Sequence, residues 1–462
     1  MAAPDLKGTR VTVVGLAKSG VAAARLCARE GARVTVTDRR GEAELGGALA
    51  ALPASVTRRL GGHDPADFTG ADLVVASPGV PLANPEIQAA RRRGVAVWGE
   101  VELAARFLDG LPIVGITGTN GKSTTTALTG ALLARDRRTF VGGNLGTPLS
   151  ELVLSGEPAD AAVVELSSFQ LEGIERFRAR VAAVLNVTPD HLDRYPDVDA
   201  YAAAKARLFA TQQPDDVAVA NARDPRALAM AGASRADLHT FGFGAPAPAS
   251  ARDEGGEPGP EGTAIWFTPR GRAPERYQLR NRALRGRHNR ENAMAAVLCA
   301  RLMGVPGEAV QAGLDAFPGL HHRLELVAEG RGVEWVNDSK ATNVDSTFVG
   351  LAAFPSGAPR VVLIMGGRGK KAPYAPLRPL FGGRVKALLT IGEDAPAIER
   401  ELGDLAPTEP CGDLAGAVRR AAVLSGPGDV VLLSPACASY DQFANYEERG
   451  EAFRRLATEQ AR

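Results

Sequence analysis

The sequence predicts an α/β protein of three domains: an N-terminal Rossmann-like domain, a central P-loop ATPase-type parallel sheet, and a C-terminal Rossmann-like domain. Three observations predict it. Short apolar runs of strand length recur along the chain, each followed by a polar or glycine-rich turn and then a helical stretch, the pattern of buried parallel strands. Glycine-rich turns close such runs at Gly15, Gly118 and Gly366. The length, 462 residues, suits about three domains at ~150 residues each. Their boundaries are expected at 1–97, 98–319 and 320–462.

In the first domain, residues 10–16 form a strand and Gly15-Leu16-Ala17-Lys18-Ser19-Gly20 turns into a helix over 21–30. The next strand, 33–37, ends at Asp38-Arg39. This is a dinucleotide-type βαβ unit with Ala17 where the middle glycine would stand. A Rossmann-like unit reused for another nucleotide fits it better than NAD. The strand 71–76 leads into Ser77-Pro78-Gly79-Val80, a turn at a strand's carboxyl end, where open α/β sheets place ligands. The domain closes near Val97-Trp98-Gly99-Glu100.

The central domain carries the most specific stretch, Ile113-Val114-Gly115-Ile116-Thr117-Gly118-Thr119-Asn120-Gly121-Lys122-Ser123-Thr124. A buried strand runs into small residues, then Gly121-Lys122-Ser123, then a helix. That is a phosphate loop. Backbone N–H groups close around phosphate oxygens, the helix presents its positive end, and Lys122 reaches the outer phosphates. Ser123 or Thr124 is placed to bind Mg²⁺. The strict pattern asks for glycine at 116, where Ile116 stands. After the turn Gly142-Gly143-Asn144-Leu145-Gly146, a strand over 161–166 delivers Glu165, and a strand over 181–185 ends in Asn186 through Tyr195. Read singly, Glu165 is as readily a solvated strand end as a functional residue, and His191 as readily a satisfied loop histidine. Asp190, His191 and Asp193 together, beside a phosphate loop, point to Mg²⁺ chemistry. A helix carrying Lys205 follows. Residues 242–262 read as a flexible surface insertion. His288-Asn289-Arg290-Glu291-Asn292 opens a helix over 293–303, and its asparagines either read an adenine edge or cap the helix.

In the last domain, three strands discharge polar residues at one sheet edge. Val333 to Val336 runs into Asn337-Asp338-Ser339-Lys340-Ala341-Thr342-Asn343. Val361 to Met365 runs into Gly366-Gly367-Arg368-Gly369-Lys370. Val430 to Leu433 runs into the stretch from Ser434 to Phe443, which holds Ser439 and Tyr440.

Net charge is +1 with mixed signs, so no nucleic-acid or membrane surface is expected. No apolar run approaches the ~20 residues of a membrane span. Met1-Ala2-Ala3-Pro4-Asp5 enters a strand pattern without a signal-peptide core. Cys27, Cys299, Cys411 and Cys437 are far apart and expected to be reduced thiols, which suits a cytoplasmic protein. Only 8 of the 54 basic residues are lysine, so a lysine marks a place where arginine will not serve. Lys122, Lys205, Lys340 and Lys370 all fall in the motifs above. Lys7, Lys371 and Lys386 read as surface residues.

The phosphate loop Thr117 to Ser123 resembles that of the Mur ligases and their folylpolyglutamate synthetase relatives, which are ATP-dependent amide-forming enzymes. Asn337 to Asn343 and Leu433 to Phe443 are similar to the Mur ligase branch that adds D-glutamate, and the match runs from Gly15 to Gly450. The resemblance implies an ADP-forming ligase of peptidoglycan precursor synthesis, acting as a monomer on UDP-N-acetylmuramoyl-L-alanine and D-glutamate with ATP. It implies that Lys18, Ser19, Asp38, Arg39, Ser77 and Gly79 hold the uridine diphosphate, with Asn144 as a further substrate contact. Gly118, Thr119, Asn120, Gly121, Lys122, Ser123 and Thr124 would cradle the ATP phosphates, with Asn289 and Asn292 near adenine. Arg323 and Asp338 would clamp the nucleotide. Two Mg²⁺ sites are implied, using Ser123 and Glu165 for one and His191 for the second, with Lys205 carbamylated by carbon dioxide. Lys122, His191, Lys205 and Lys340 would carry catalysis. Lys340, Thr342, Lys370, Ser439 and Tyr440 would receive D-glutamate. Tyr446 stands where the family usually has phenylalanine, and Asp345 and Arg368 alter the charge beside that pocket.

Two rival readings are weaker. A folylpolyglutamate synthetase would lack the N-terminal βαβ domain, and an NAD-dependent oxidoreductase would leave the phosphate loop unexplained.

Overall fold

Strands, most of them parallel, make up three sheets in the computed structural model, which describes residues 3–243, 250–253, 263–370 and 372–462. The first sheet holds β1 (Arg10–Val14), β2 (Arg33–Asp38), β3 (Thr57–Leu60), β4 (Leu73–Ala76) and β5 (Ala96–Gly99), in the order β3-β2-β1-β4-β5. All its pairings are parallel. The strand order reverses at β1, so a crevice opens beyond its carboxyl end. Gly15 turns the chain there at φ +86°, and a side chain at Gly20 would strike the Gly15 carbonyl. Those two glycines let the helix Lys18–Arg29 start directly under the turn.

The second sheet holds β6 (Ile113–Thr117), β7 (Thr139–Gly143), β8 (Ala161–Glu165), β9 (Val181–Val184), β10 (Val217–Asn221), β11 (Asp237–Phe243), β12 (Ala251–Asp253), β13 (Thr263–Phe267) and β14 (Glu275–Leu279). Its order is β14-β13-β12-β11-β10-β9-β6-β8-β7. The strands from β7 to β12 are parallel, and β13 and β14 add an antiparallel edge. The flexible insertion expected at 242–262 needs correction. Gly242 and Phe243 finish β11, and Ala251 pairs with Phe241 on one side and Phe267 on the other. Residues 244–249 and 254–262 of that stretch lie outside the described residues, as do Met1, Ala2 and Lys371.

The third sheet holds β15 (Glu325–Gly330), β16 (Val333–Asn337), β17 (Val361–Gly366), β18 (Val385–Ile391), β19 (Thr408–Gly412) and β20 (Val430–Leu433). Its order, β15-β16-β20-β17-β18-β19, makes β16, β20 and β17 adjacent and parallel, with β15 antiparallel at one edge. The three polar loops after these strands therefore start side by side.

The chain forms two compact bodies, Met1–Leu279 with Glu291–Asp315, and Arg280–Arg290 with Ala316–Arg462. The first body contains two sheets, joined through the helix Glu100–Ala105. Glu102, fully buried, accepts backbone N–H bonds from Glu175, Arg176 and Phe177 at 2.8–3.0 Å, and a fourth bond from Arg106. Both oxygens of this buried carboxylate are thus satisfied by hydrogen bonds. Gly99 donates to the Gly173 carbonyl at 2.8 Å, an approach that a side chain at Gly173 would block. All four cysteines are free thiols, three of them buried. Among the described residues no helix is long and apolar enough to cross a membrane.

Candidate active site

The phosphate loop lies where β6 ends between β8 and β9, at the order reversal of its sheet. Ile116 is fully buried in β6, so the strict motif's first glycine is replaced by a core residue. Gly121 sits at φ +85°, and a side chain there would strike Asn292. The helix Lys122–Leu133 begins with no acidic residue in its first turn and no side-chain cap, leaving its N–H groups to an anion. Ser123 is half-buried and Thr124 buried, so Ser123 is the more accessible hydroxyl. Asn186, at the end of β9, accepts the N–H of Thr119 at 3.1 Å and of Asn120 at 2.8 Å, and donates to the Asn120 carbonyl. It braces the loop, a role the sequence did not reveal.

Two lysines meet at the loop. Lys122 Nζ donates to the carbonyls of Gly118 (2.9 Å) and Thr119 (2.8 Å). Lys205 Nζ donates to the same Gly118 carbonyl at 3.0 Å and lies 4.3 Å from the centre of the Tyr201 ring. Burial first, then the charge of Lys122, push the Lys205 ammonium down to about 7. Glu165 ends β8 almost wholly buried. Its Oε1 accepts Asn144 Nδ2 at 2.6 Å, while its Oε2 is buried without a hydrogen-bond partner. An orphaned carboxylate oxygen costs free energy unless a ligand satisfies it. His191 takes a left-handed backbone, φ +54°, and its ring packs 4.8 Å from that of Phe169 and 6.0 Å from that of Tyr201. Its Nε2 lies 3.6 Å from Asp190. Among the described residues no three His, Cys, Asp or Glu side chains gather to hold a metal by themselves. Glu165 Oε2 and the Ser123 hydroxyl are hard oxygen donors of the kind that share Mg²⁺ with substrate phosphates, so the residues fit that ion.

A cavity of about 520 Å³ opens at the carboxyl edge of the first sheet. Lys18, Ser19, Asp38, Arg39, Ser77 and Gly79 line it, as does Asn144 from the second sheet. Its size suits a nucleotide-sized ligand. Burial would raise the Asp38 carboxyl, but hydrogen bonds from Arg40 and the Leu16 N–H outweigh it and hold it down to about 2. Ser77 Oγ donates to the Gly15 carbonyl at 2.6 Å, closing one wall. Arg40, His63 and Asn84 also line the cavity and went unread: His63 meets Thr37, distant in sequence, and Asn84 caps backbone N–H groups, whereas Arg40 pairs with Asp38 two residues away. Asn144 both lines this cavity and binds Glu165, so the two sites are one side chain apart.

In the second body, the loops after β16, β20 and β17 carry Lys340 and Thr342, Ser439 and Tyr440, and Lys370. Lys340 Nζ lies 5.7 Å from the centre of the Tyr446 ring, and Ser339 Oγ donates to the Tyr446 carbonyl at 2.8 Å. Ser439 is buried, Tyr440 and Lys370 exposed. Arg368 pairs with Glu393 at 2.8 Å, and its backbone pairs with Ala438, tying two loops together. Asp338 is buried, and both its oxygens are engaged by its own loops: Oδ1 accepts the Leu324 N–H and Oδ2 the Ser434 hydroxyl. Burial raises it to about 7, against the opposing pull of Ser434 and Arg323. The helix expected from 293 starts at Arg287, because its polar first turn hides the periodicity. Asn289 donates to the Arg285 carbonyl in the second body, while Asn292 meets Thr125 Oγ1 at 3.3 Å behind the phosphate loop in the first.

Family models match all three sheets in turn: the Mur ligase MurD-like N-terminal domain over 9–99, the Mur ligase middle domain over 116–300, and the Mur ligase glutamate ligase domain over 322–437. The chain is 96% identical to the UDP-N-acetylmuramoylalanine–D-glutamate ligase of Anaeromyxobacter dehalogenans (strain 2CP-C), over the full length of both. It is 57% identical to the ligase of the same name from Myxococcus xanthus (strain DK1622), covering 98% of each chain. Its fold is similar to that of UDP-N-acetylmuramate-alanine ligase MurC from Thermotoga maritima, with TM-score 0.59, 19% identity and 96% and 98% of the two chains covered. MurF from Acinetobacter baumannii gives the same TM-score and identity over 94% of this chain and 86% of its own. Matched domain by domain and nearly residue by residue, the chain belongs to the Mur ligase family.

Proposed function

We propose that this chain is the ATP-dependent ligase that joins D-glutamate to UDP-N-acetylmuramoyl-L-alanine in cytoplasmic peptidoglycan precursor synthesis, releasing ADP and phosphate. The observation that carries the reading is Asn144, which lines the nucleotide-sized cavity and binds Glu165 beside the phosphate loop. A substrate held by its uridine diphosphate in that cavity would extend past Asn144 toward the ATP phosphates.

A carboxylate does not acylate an amine at neutral pH, so the L-alanyl carboxylate must first be activated. Its attack on the γ-phosphate gives an acyl phosphate and ADP. Charge then builds on the phosphoryl oxygens, where Lys122 and the N–H groups at the start of its helix are positioned to act. Glu165 Oε2 and Ser123 would hold Mg²⁺, which would supply positive charge against the negative charge of the phosphates. His191 and a carbamate on Lys205 would hold a second Mg²⁺. The D-glutamate amine attacks the acyl carbon, and phosphate leaves as the tetrahedral intermediate collapses. Lys340, Thr342, Lys370 and Ser439 suit an acceptor with two carboxylates, and Tyr446 adds a hydroxyl at its edge.

The test is ADP release by the purified protein. It should require UDP-N-acetylmuramoyl-L-alanine and D-glutamate together, and a folded Lys122→Ala variant should lose it almost entirely. Coupling of L-lysine, diaminopimelate or a folate in place of D-glutamate would overturn the assignment.

A further inference from the structure

Arg449 lies on the helix Tyr446–Ala461, only 1% exposed, and had no part in the site as read from sequence. Its Nε donates to Ser339 Oγ at 3.0 Å, and its Nη2 to the carbonyls of Ser339 (2.8 Å) and Cys437 (3.1 Å). Ser339 adjoins Lys340, and Cys437 stands two residues before Ser439. The Nη1 group is buried without a hydrogen-bond partner. It faces Gly367 of the third loop, where an added Cβ would sit 3.2 Å from it. Gly367 holds φ +130° and abuts the Ala438 carbonyl, so only glycine lets this loop close over the guanidinium. One guanidinium thus touches all three loops at the carboxyl edge.

Among the described residues no carboxylate forms an ion pair with Arg449. Asp441, on the same loop as Cys437, is committed to the Glu393 N–H at 3.1 Å. Burial pushes the Arg449 guanidinium down to about 10. Asp441 favours the cation by its charge without pairing with it, and a buried cation with no directly paired counter-charge is costly in a low-dielectric interior. Such an arrangement is stable in function when a ligand brings the missing charge. We infer that Arg449 is a positioning residue for the acceptor: it sets the register of the three loops, and the acceptor's carboxylates are its counter-charge. This rests on the reading of those loops as the D-glutamate pocket.

The test compares Arg449→Met and Arg449→Lys, with Lys370→Ala as control. Arg449→Met should raise the KM for D-glutamate about 100-fold and leave the KM for ATP and for the UDP substrate within about twofold. Its preference for D-glutamate over D-norvaline, which lacks the side-chain carboxylate, should shrink. Arg449→Lys keeps the charge but not the fork, so KM should rise about tenfold with the preference kept. If the Met variant does not fold, the Lys variant decides alone. An unchanged D-glutamate KM, or equal losses for all three substrates with the preference intact, would overturn the inference. If Lys370→Ala also leaves the D-glutamate KM unchanged, the pocket reading itself fails.

Discussion

Lys122 and Lys205 both donate to the Gly118 carbonyl, which places two ammonium groups at one acceptor. Their mutual repulsion adds to burial in holding Lys205 at about 7, so near neutrality a large share of it is free amine. Free amine is what carbon dioxide needs: the lone pair attacks, an N–C bond forms, and a proton leaves to solvent. The product is an anion beside Lys122, which exchanges repulsion for attraction. Carbon-13 NMR with labelled bicarbonate should show a carbamate signal that disappears in Lys205→Ala. That variant should be inactive and partly rescued by short-chain carboxylates, whereas Lys205→Arg should not recover. Full activity in carbon-dioxide-free buffer would argue against the modification. Glu100 gives a separate expectation for stability. Burial raises its carboxyl from 4.5 to about 7, against the opposing Ser150 N–H bond at 2.6 Å, and its Oε2 has no partner. Between those values the folded chain keeps a proton that the unfolded chain has released. Its contribution is therefore fully present below about pH 4.5 and lost as pH rises through about 7. Glu100→Gln keeps an acceptor for Ser150 and removes the titration. The fall in Tm between about pH 5 and pH 8 should be shallower in this variant, and an equal fall would refute the assignment.

The loop between β9 and the helix Val198–Ala206 shows what a linear motif conceals. Asp190, His191 and Asp193 were legible because acids and imidazole crowd a strand end. The element's anchor was not. Arg194 lies 4.0 Å over the Phe169 ring, donates to Glu172 at 2.8 Å, and donates to the Pro78 carbonyl at 3.0 Å. Phe169 in turn packs on His191, and the N–H groups of Arg194 and Tyr195 both bond the His191 carbonyl at 3.0 Å. The arginine therefore ties the Ser77-Pro78-Gly79 wall of the cavity to the His191 turn. Its carbonyl partner is a backbone atom in the turn after β4, which no residue spacing can announce. Arg194→Lys keeps the charge but cannot reach both partners with a planar fork. It should raise the KM for UDP-N-acetylmuramoyl-L-alanine about tenfold and lower kcat, with little change in the KM for ATP. Steady-state kinetics varying each substrate in turn checks this, and an unchanged KM for the UDP substrate would leave the bridge a purely structural one.

At the scale of the whole molecule, the parallel βαβ architecture was legible because buried parallel strands and their glycine turns are both written locally. The antiparallel edges were not, since β13 and β14 follow a polar stretch and pair only with each other and with β12. The convergence of three loops in the second body was legible as strand ends, but their adjacency depends on the order β16-β20-β17, a tertiary fact. Apart from Asn289, Arg323 and Asp338, expected at the nucleotide but part of the second body, the two bodies divide the candidate groups by chemistry. The first holds the phosphate loop, the orphaned Glu165 oxygen and the nucleotide-sized cavity, while the second holds Lys340, Lys370 and the buried Arg449. Acceptor chemistry should then separate kinetically from nucleotide chemistry. Lys370 is exposed on the loop after β17, so its side chain can reach a ligand carboxylate without disturbing the core. Binding desolvates that pair, and truncating the lysine leaves the carboxylate unpaired, at a cost on the order of 3 kcal/mol, or about 100-fold. Lys370→Ala should raise the KM for D-glutamate by that factor and leave the KM for ATP within about twofold. D-glutamine should be a poor acceptor for the wild type, having lost one carboxylate. L-glutamate should be poorer than D-glutamate, because the inverted centre moves the amine off the line of attack. If Lys370→Ala raised the KM values for ATP and D-glutamate together, the two functions would not be separable, and the second body would not be the acceptor's own site.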